Sequence, residues 1–231
     1  MNEVIILAGG FGTRLQSVVK DLPKCLVEIN GKPFLSHLID FLLNQNFTKF
    51  IFAIGYKSDL VEEFVIQNYG NLEYSFSVET EPLGTGGAIK KALKTVKSND
   101  VLVVNGDTFF NVNLAELFEF HLIKNAHVSI GLFKVEENTR YGYVELSIDG
   151  RIHDFHEKKL SKDVLISGGY YVINVLTINT LFEQFPNHFS LEKDFFELKL
   201  KEVNIFGKLL VGNFIDIGIP EDLYLANKIL I

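Results

Sequence analysis

The sequence predicts an α/β protein, a Rossmann-like three-layer sandwich around a mixed, mainly parallel sheet, and two observations support this class. In the first half of the 231-residue chain, short apolar segments alternate with segments whose apolar residues recur at helical spacing. Strands separated by helices imply right-handed crossovers and a parallel sheet that is covered on both faces. After about residue 128, strand-like segments follow one another closely, which favours mixed or antiparallel pairing beside the parallel core.

The elements of the first half follow in chain order. Residues 4–8 form a continuous apolar run that ends in glycines, as a strand buried on both faces does. Residues 33–45 have apolar side chains at helical spacing, and Pro33 suits the start of a helix. The same reasoning predicts strands at residues 50–54, 74–78 and 101–104, with helices at residues 59–67 and 86–96.

The second half has a different pattern. Residues 142–148, 152–156 and 170–173 are typical of strands joined by short connections. Pro220 followed by two acidic residues is a typical helix start, and apolar periodicity continues to residue 231. The length and the continuous patterning predict one domain that comprises residues 1–231.

Composition and charge exclude several classes of function. The formal net charge is −7 and the sequence pI is near 5.4, whereas a nucleic-acid-binding protein needs a basic face. A small anionic ligand such as a nucleotide is compatible with this charge, because a few cations and backbone N–H groups can hold it.

Cys25 is the only cysteine, so an internal disulfide is excluded. We expect a cytoplasmic protein without a membrane partner, because the apolar runs are short and the first residues do not resemble a signal peptide.

The segment Leu-Ala-Gly-Gly-Phe-Gly-Thr-Arg-Leu at residues 7–15 carries the clearest chemical signal. Without Cβ atoms, its three glycines let backbone N–H groups approach phosphate oxygens, and Arg14 can add two charge-assisted hydrogen bonds. The alternative is a tight turn beside an exposed arginine. Leu15 takes the place of the third glycine of a dinucleotide fingerprint, which disfavours a Rossmann oxidoreductase, and no P-loop Gly-Lys-Ser/Thr follows.

Other candidates are weaker when taken alone. Lys24 is suited to meet a phosphate, although a single lysine is more often a solvated surface residue. Cys25 lacks a local histidine partner of the kind that activates a nucleophilic thiol. His153 and His156 suggest a metal site, but on a strand they point to opposite faces, so we interpret them as polar surface.

A series of segments along almost the whole chain resembles the sugar-1-phosphate nucleotidyltransferase family in the family's own order. The segments are residues 7–15, 23–24, 32–33, 81–87, 105–107, 141–142, 157–158, 167–171 and 214–222. The chain departs from the family pattern at Cys25 and Lys159, where the family has proline, and at Ser167, where it has asparagine.

The resemblance implies a GT-A-like nucleotidyltransferase fold, with a nucleotide-binding half at residues 1–110 and a sugar-phosphate-binding half at residues 111–231. It also implies that Asp107 and Asp216 hold Mg²⁺ and that Arg14 and Lys24 act on the phosphates. The residues implied to bind the nucleotide are Leu7, Ala8, Gly9, Gly10, Gly12, Thr13, Arg14, Glu81, Gly84 and Thr85. Those implied to bind the sugar phosphate are Asn105, Gly106, Tyr141, Gly142, Glu157, Lys158, Ser167 and Gly168.

The implied reaction joins a nucleoside triphosphate to a sugar 1-phosphate and releases pyrophosphate. The attacking phosphate oxygen is already anionic, so catalysis needs positioning and charge neutralisation rather than a strong base.

Residues 79–87 and 105–110 resemble most those of short bacterial enzymes that use GTP and D-glycero-α-D-manno-heptose 1-phosphate. In that case Glu81 accepts hydrogen bonds from guanine; the alternative is that Glu81 faces solvent.

Several alternatives remain within and outside this activity. Mannose-1-phosphate guanylyltransferases are close relatives, and thymidylyl-, cytidylyl- and uridylyltransferases act on other hexose phosphates. A catalytically dead subunit that binds nucleotide sugars is an alternative of a different class. The sequence leaves the oligomeric state open, including a homo-oligomer.

Overall fold

The structure is a computed structural model that describes residues 2–12 and 21–230. The elements of its first half are β1 (Glu3–Leu7), β2 (Glu28–Ile29), β3 (Lys32–Pro33), α1 (Phe34–Asn44), β4 (Lys49–Ile54), α2 (Ser58–Tyr69), β5 (Glu73–Val78), α3 (Gly84–Ala92) and β6 (Asp100–Asn105). Those of the second half are β7 (Thr108–Asn111), α4 (Leu114–Ile123), β8 (Val128–Asn138), β9 (Tyr143–Leu146), β10 (Ile152–His156), β11 (Ser161–Asn174), α5 (Val175–Phe182), α6 (Glu197–Lys199), β12 (Ile205–Leu209), β13 (Asn213–Asp216) and α7 (Pro220–Ile229).

Within the described residues, one nine-stranded sheet forms the centre of the molecule. Strands β6, β1, β4 and β5 run parallel in that spatial order, as the first half of the sequence predicts. Strand β11 pairs antiparallel with β6 and continues the sheet to β8 and β9. The mixed, mainly parallel α/β class predicted from the sequence is confirmed.

Two apolar layers cover this sheet because neighbouring residues of a strand point to opposite faces. Val4 and Ile6 of β1 pack into a cluster that includes buried residues of α1, α2, α4 and α7. Ile5 packs into the opposite cluster with buried residues of α3 and α5. None of the helices in the described ranges is long and apolar enough to cross a bilayer.

The second half departs from the predicted pattern in its long strands. Strand β11 has 14 residues, although only its last part, residues 170–173, has the apolar pattern that predicts a strand. The first part of β11 carries polar side chains and two glycines, and it is held by pairing with β8 rather than by burial of both faces. The β7–β13 pair lies apart from the main sheet and has no counterpart among the predicted elements.

Candidate active site

The carboxyl ends of β1, β4 and β6 lie at one edge of the sheet, where ligands bind in folds of this class. Three concavities lined by described residues lie at or beside this edge. The central pocket, of about 200 Å³, is lined by Leu7, Ala8, Gly10, Gly12, Lys24, Cys25, Gly106, Asp107 and Gly218. The α3 pocket, of about 300 Å³, is lined by Leu7, Gly9, Gly10, Phe11, Ala53, Glu79, Pro82, Gly84, Thr85, Ala88, Asn105 and Asp107.

The third concavity, the β9 pocket, has a volume of about 410 Å³ and lies on the antiparallel side of the sheet. It is lined by Asn105, Ile130, Arg140, Tyr141, Gly142, Tyr143, Val144, Phe155, His156, Glu157, Lys158, Ser167, Tyr171, Glu192, Lys193, Phe196 and Glu197. Asp107 borders both the central and the α3 pocket, and Asn105 borders both the α3 and the β9 pocket. The α3 and β9 pockets therefore adjoin each other at Asn105, and the α3 and central pockets adjoin at Asp107.

Asp107 and Asp216 are brought together by a short two-stranded ladder. Strand β7 begins directly after Asp107, and its antiparallel partner β13 ends at Asp216, which is paired with Thr108. The N–H of Ile217 also donates to the backbone carbonyl of Asp107 at 3.0 Å. The two carboxylates that the sequence singles out therefore lie at one place.

The ammonium of Lys24 lies between these two carboxylates. Its Nζ is 2.6 Å from Oδ2 of Asp107 and 3.5 Å from Oδ1 of Asp216. Burial raises the pKa of Asp216, and the nearby charge of Asp107 raises it further, while Lys24 and Arg140 oppose the shift. The arrangement concentrates negative charge that a cation must balance.

The glycine-rich segment lies against the end of β6. The N–H of Gly106 donates to the carbonyl of Leu7 at 2.9 Å, and a Cβ atom at residue 106 would lie only 2.7 Å from that oxygen. A side chain at this position would push the two strand ends apart. Thr13 and Arg14, which are predicted to bind the nucleotide, lie outside the described residues.

The α3 pocket is lined by Gly84 and Thr85, which are predicted to bind the nucleotide, and the glutamate on its wall is Glu79. Glu79 accepts a hydrogen bond from the N–H of Leu83 at 3.0 Å, and burial raises its pKa against the opposing effects of that bond and of Lys91. Gly84 has φ +70°, and a Cβ atom there would lie 2.5 Å from the carbonyl oxygen of Phe189. A residue with a side chain would be strained at this position.

Glu81 lies on a different surface from the one that its predicted role requires. It is exposed and borders a separate concavity together with lysines of the α3 region. The chain bends at residues 80–81, so Glu81 is turned away from the face on which Glu79 lies. This exposed position is the one described by the alternative in which Glu81 faces solvent rather than guanine.

The β9 pocket brings together Asn105, Tyr141, Gly142, Glu157, Lys158 and Ser167, all of which the resemblance assigns to the sugar phosphate. Glu157 is paired with Lys193 at 2.7 Å, and the hydrogen bond and charge of Lys193 lower the pKa of Glu157. Gly106 lines the central pocket instead, and Gly168 is buried, where a Cβ atom would meet the ring of Phe110. These two residues are therefore placed differently from the predicted sugar-phosphate contacts.

A chain of hydrogen-bonded side chains, which the sequence reasoning missed, connects the β9 and α3 pockets. Ser167 Oγ donates to Tyr171 Oη at 3.1 Å, and Tyr171 Oη donates to Glu192 Oε1 at 3.0 Å. Thr85 Oγ1 donates to Glu192 Oε2 at 3.1 Å. Tyr171 belongs to the quoted segment at residues 167–171, so a signal for it was present, whereas Glu192 follows no motif that we identified.

The weaker candidates also have defined positions. Cys25 is buried beside the central pocket, and burial raises its pKa to about 12, which keeps the thiol protonated at neutral pH and argues against a nucleophilic role. His153 is exposed, as expected for polar surface. His156 differs from that expectation because it borders the β9 pocket, where its ring stacks on Tyr143 with centroids 4.4 Å apart.

Comparison with known proteins yields a consistent family assignment. The Nucleotidyl transferase family model matches residues 3–231. The D-glycero-α-D-manno-heptose 1-phosphate guanylyltransferase of Aneurinibacillus thermoaerophilus is 39% identical to this chain over 98% of this chain and 97% of the relative. The protein of the same name from Campylobacter jejuni is 37% identical over 96% of this chain and 97% of its own length.

The fold is also similar to that of solved structures. HddC from Yersinia pseudotuberculosis superposes with a TM-score of 0.89 and is 36% identical, with 99% of both chains covered. A second structure of that protein, complexed with GMP-PN, superposes with a TM-score of 0.88 over the same shares of both chains. The likeness thus extends over both halves of the chain.

Proposed function

Because the chain belongs to the nucleotidyl transferase family, we propose that it joins GTP to D-glycero-α-D-manno-heptose 1-phosphate, giving the GDP-activated heptose and pyrophosphate. One observation carries the proposal. Lys24, Asp107 and Asp216 lie together; Asp107 borders the α3 pocket, Asp216 lies 3.9 Å from Arg140 of the β9 pocket, and both pockets are bordered by Asn105. A nucleotide in the α3 pocket and a sugar phosphate in the β9 pocket would place their reacting phosphates at this group.

The two carboxylates fit a divalent cation, which we propose to be Mg²⁺. The position of the Lys24 ammonium shows that their oxygens can face one positive charge from two sides. The described residues contain no group of three or more His, Cys, Asp or Glu side chains suited to a metal. In the proposed site, phosphate oxygens and water would complete the coordination. Mg²⁺ is commonly held in this way, by one or two carboxylates and the substrate phosphates. When bound, it would neutralise charge on the triphosphate.

The residues of this chain would assist the transfer by positioning and neutralisation. An oxygen of the sugar phosphate attacks the α-phosphorus of GTP, the bond to the β-phosphate oxygen breaks, and pyrophosphate leaves with the electron pair. Lys24 and Lys158 are the cations that we assign to the phosphates, because Lys24 lines the central pocket and Lys158 borders the β9 pocket. Thr13 and Arg14 remain predicted contacts of the triphosphate.

Guanine selection is assigned to Glu79 in place of Glu81. The half-buried carboxylate of Glu79 borders the α3 pocket and can accept hydrogen bonds from the N1–H and amino group of guanine. Adenine lacks this pair of donors, so it would leave a partly desolvated carboxylate without partners. Glu79→Gln should therefore reduce the preference for GTP over ATP by about tenfold, and Glu81→Gln, the matched control, should leave it unchanged.

The test of the whole proposal is a substrate panel. Five nucleoside triphosphates are offered against heptose, mannose and glucose 1-phosphates, and pyrophosphate release is measured. We expect the highest kcat/KM with GTP and the manno-configured heptose 1-phosphate. Comparable use of dTTP, UTP or CTP would refute the guanine assignment, and higher efficiency with mannose 1-phosphate would refute the heptose. Nucleotide-sugar binding without turnover would identify a regulatory subunit instead.

A further inference from the structure

Arg140 is a partly buried cation. It belongs to none of the segments that resemble the family, and the proposed mechanism gives it no role. It lies in the connection between β8 and β9, directly before Tyr141, and borders the β9 pocket. Its Nη1 and Nη2 atoms donate to the two carboxylate oxygens of Asp222 at 2.8 and 2.6 Å. Asp222 is buried in the first turn of α7. A bidentate pair with a buried carboxylate fixes the guanidinium in both position and orientation.

The same guanidinium also lies close to a proposed metal carboxylate and to a side chain of the β9 pocket. Its Nη2 lies 3.9 Å from Oδ2 of Asp216, and its Cζ lies 5.2 Å from the centroid of the Tyr141 ring. Asp216 is thus flanked by two cations, Lys24 near Oδ1 and Arg140 near Oδ2. The two cations are held differently: among the described residues, the ammonium of Lys24 bonds the two carboxylates of the site, whereas the guanidinium of Arg140 is fixed by Asp222, outside the site.

We propose that Arg140, fixed by Asp222, is a positioning residue that holds Asp216 and Tyr141 in the relative arrangement required for the sugar phosphate to meet the nucleotide. This inference rests on the transfer reaction proposed above. Its physical basis is that Asp216 and Tyr141 belong to different elements, β13 and the β8–β9 connection. The pair of Arg140 with Asp222 fixes that connection to α7, which follows β13 in the chain, and places the guanidinium 3.9 Å from Asp216. Misplacement of reacting groups by about 1 Å can lower a rate about 100-fold.

The proposal is tested with Arg140→Met, Arg140→Lys and Asp222→Asn. Arg151→Met is the matched control, because Arg151 also bonds across elements, to Asn204 and Val203, and borders none of the three pockets. We expect Arg140→Met to lower kcat about 30-fold and to raise KM for the sugar phosphate about tenfold, with KM for GTP within about twofold. Arg140→Lys should restore little, because an ammonium cannot make the bidentate pair.

Two further measurements keep the test decisive. Binding of the sugar 1-phosphate, measured by calorimetry, does not require turnover. It therefore tests the role of Arg140 even if the wild-type protein does not transfer nucleotides. That lack of transfer would refute the proposed function but not the role of Arg140. If Arg140→Met does not fold, Arg140→Lys decides by the same kinetic and binding measurements. Sugar-phosphate binding and kcat within about twofold of wild type in Arg140→Lys, or equal losses in Arg140→Met and Arg151→Met, would overturn the proposal.

Discussion

The α3 pocket and the β9 pocket are built by different means. The α3 pocket lies at the ends of parallel strands, and much of its wall is formed by glycine, alanine and proline residues. The β9 pocket is lined mainly by long charged and aromatic side chains from β9, β10, β11 and the segment around Glu192. Backbone shape therefore defines the first pocket, whereas pairing between distant side chains defines the second. Single substitutions in the α3 pocket and in the β9 pocket should accordingly differ in their effects on activity and stability.

The carboxylates at the junction of the two pockets should give the largest effect. Asp107→Asn and Asp216→Asn are each expected to lower kcat about 100-fold or more, because a preorganised charge at the reacting centre is lost. Each should also weaken Mn²⁺ binding to the free protein, measured by electron paramagnetic resonance. Asp149→Asn, in the exposed turn between β9 and β10, is the control and should change neither quantity. Full activity in excess EDTA would contradict the metal assignment.

Lys24 should show opposite effects on turnover and on metal binding. Its ammonium lies between the two carboxylates, where it competes with a divalent cation for the same oxygens. Lys24→Met is therefore expected to lower kcat about 30-fold through loss of a phosphate contact while it tightens Mn²⁺ binding to the free protein. Lys49→Met, which removes a cation paired with Glu73 on the parallel side, is the control. Unchanged or weaker Mn²⁺ binding in Lys24→Met would refute the competition.

The sequence predicts the two pockets to different extents, and the reason is physical. The run at residues 4–8 and its glycines form a local pattern, so strand β1 and the wall of the central and α3 pockets follow from it. The meeting of Asp107 with Asp216 depends on four-residue strands β7 and β13, which are too short to give a periodic signal. The position of Glu79 in place of Glu81 depends on a bend that residue types alone do not specify.

The β9 pocket was predicted only where the family resemblance supplied residues. Arg140 and Glu192 act through partners far along the chain, Asp222 and Thr85, and no local pattern indicates such pairs. Such pairs are contacts between elements far apart in the sequence, so they depend on the tertiary fold. The polar wall of the β9 pocket is therefore the part of the site that could be identified only from the structure.

Lys158 tests whether the β9 pocket holds the sugar phosphate. Lys158 borders this pocket, whereas the ammonium of its neighbour Lys159 lies 5.5 Å from the centroid of the Tyr143 ring. Lys158→Ala is expected to raise KM for the sugar phosphate about tenfold and KM for GTP by less than about twofold. Lys159→Ala is the matched control, with a smaller change in both constants. A larger effect from Lys159→Ala would show that the two lysines have exchanged roles.

The smallest expected effect concerns stability on the nucleotide side. Burial raises the pKa of Glu79 above its ordinary value of 4.5, so the folded state binds this proton more tightly than the unfolded state. The resulting stabilisation is complete below the unfolded pKa and is lost as pH rises through the folded pKa. At neutral pH the ionised carboxylate is therefore less favourable in the fold than a neutral amide of the same shape.

Glu79→Gln should consequently raise Tm at pH 7 by about 2 °C, and the gain should shrink toward zero near pH 4, where the wild-type carboxyl group is mostly protonated. Glu81→Gln, at an exposed position, should change Tm by less than about 1 °C throughout. Thermal unfolding followed by circular dichroism without substrates measures both variants. A lower Tm for Glu79→Gln at pH 7 would mean that the hydrogen bond from Leu83 outweighs the burial of the charge. A higher Tm combined with relaxed nucleobase choice would indicate that this carboxylate is retained for recognition at a cost in stability.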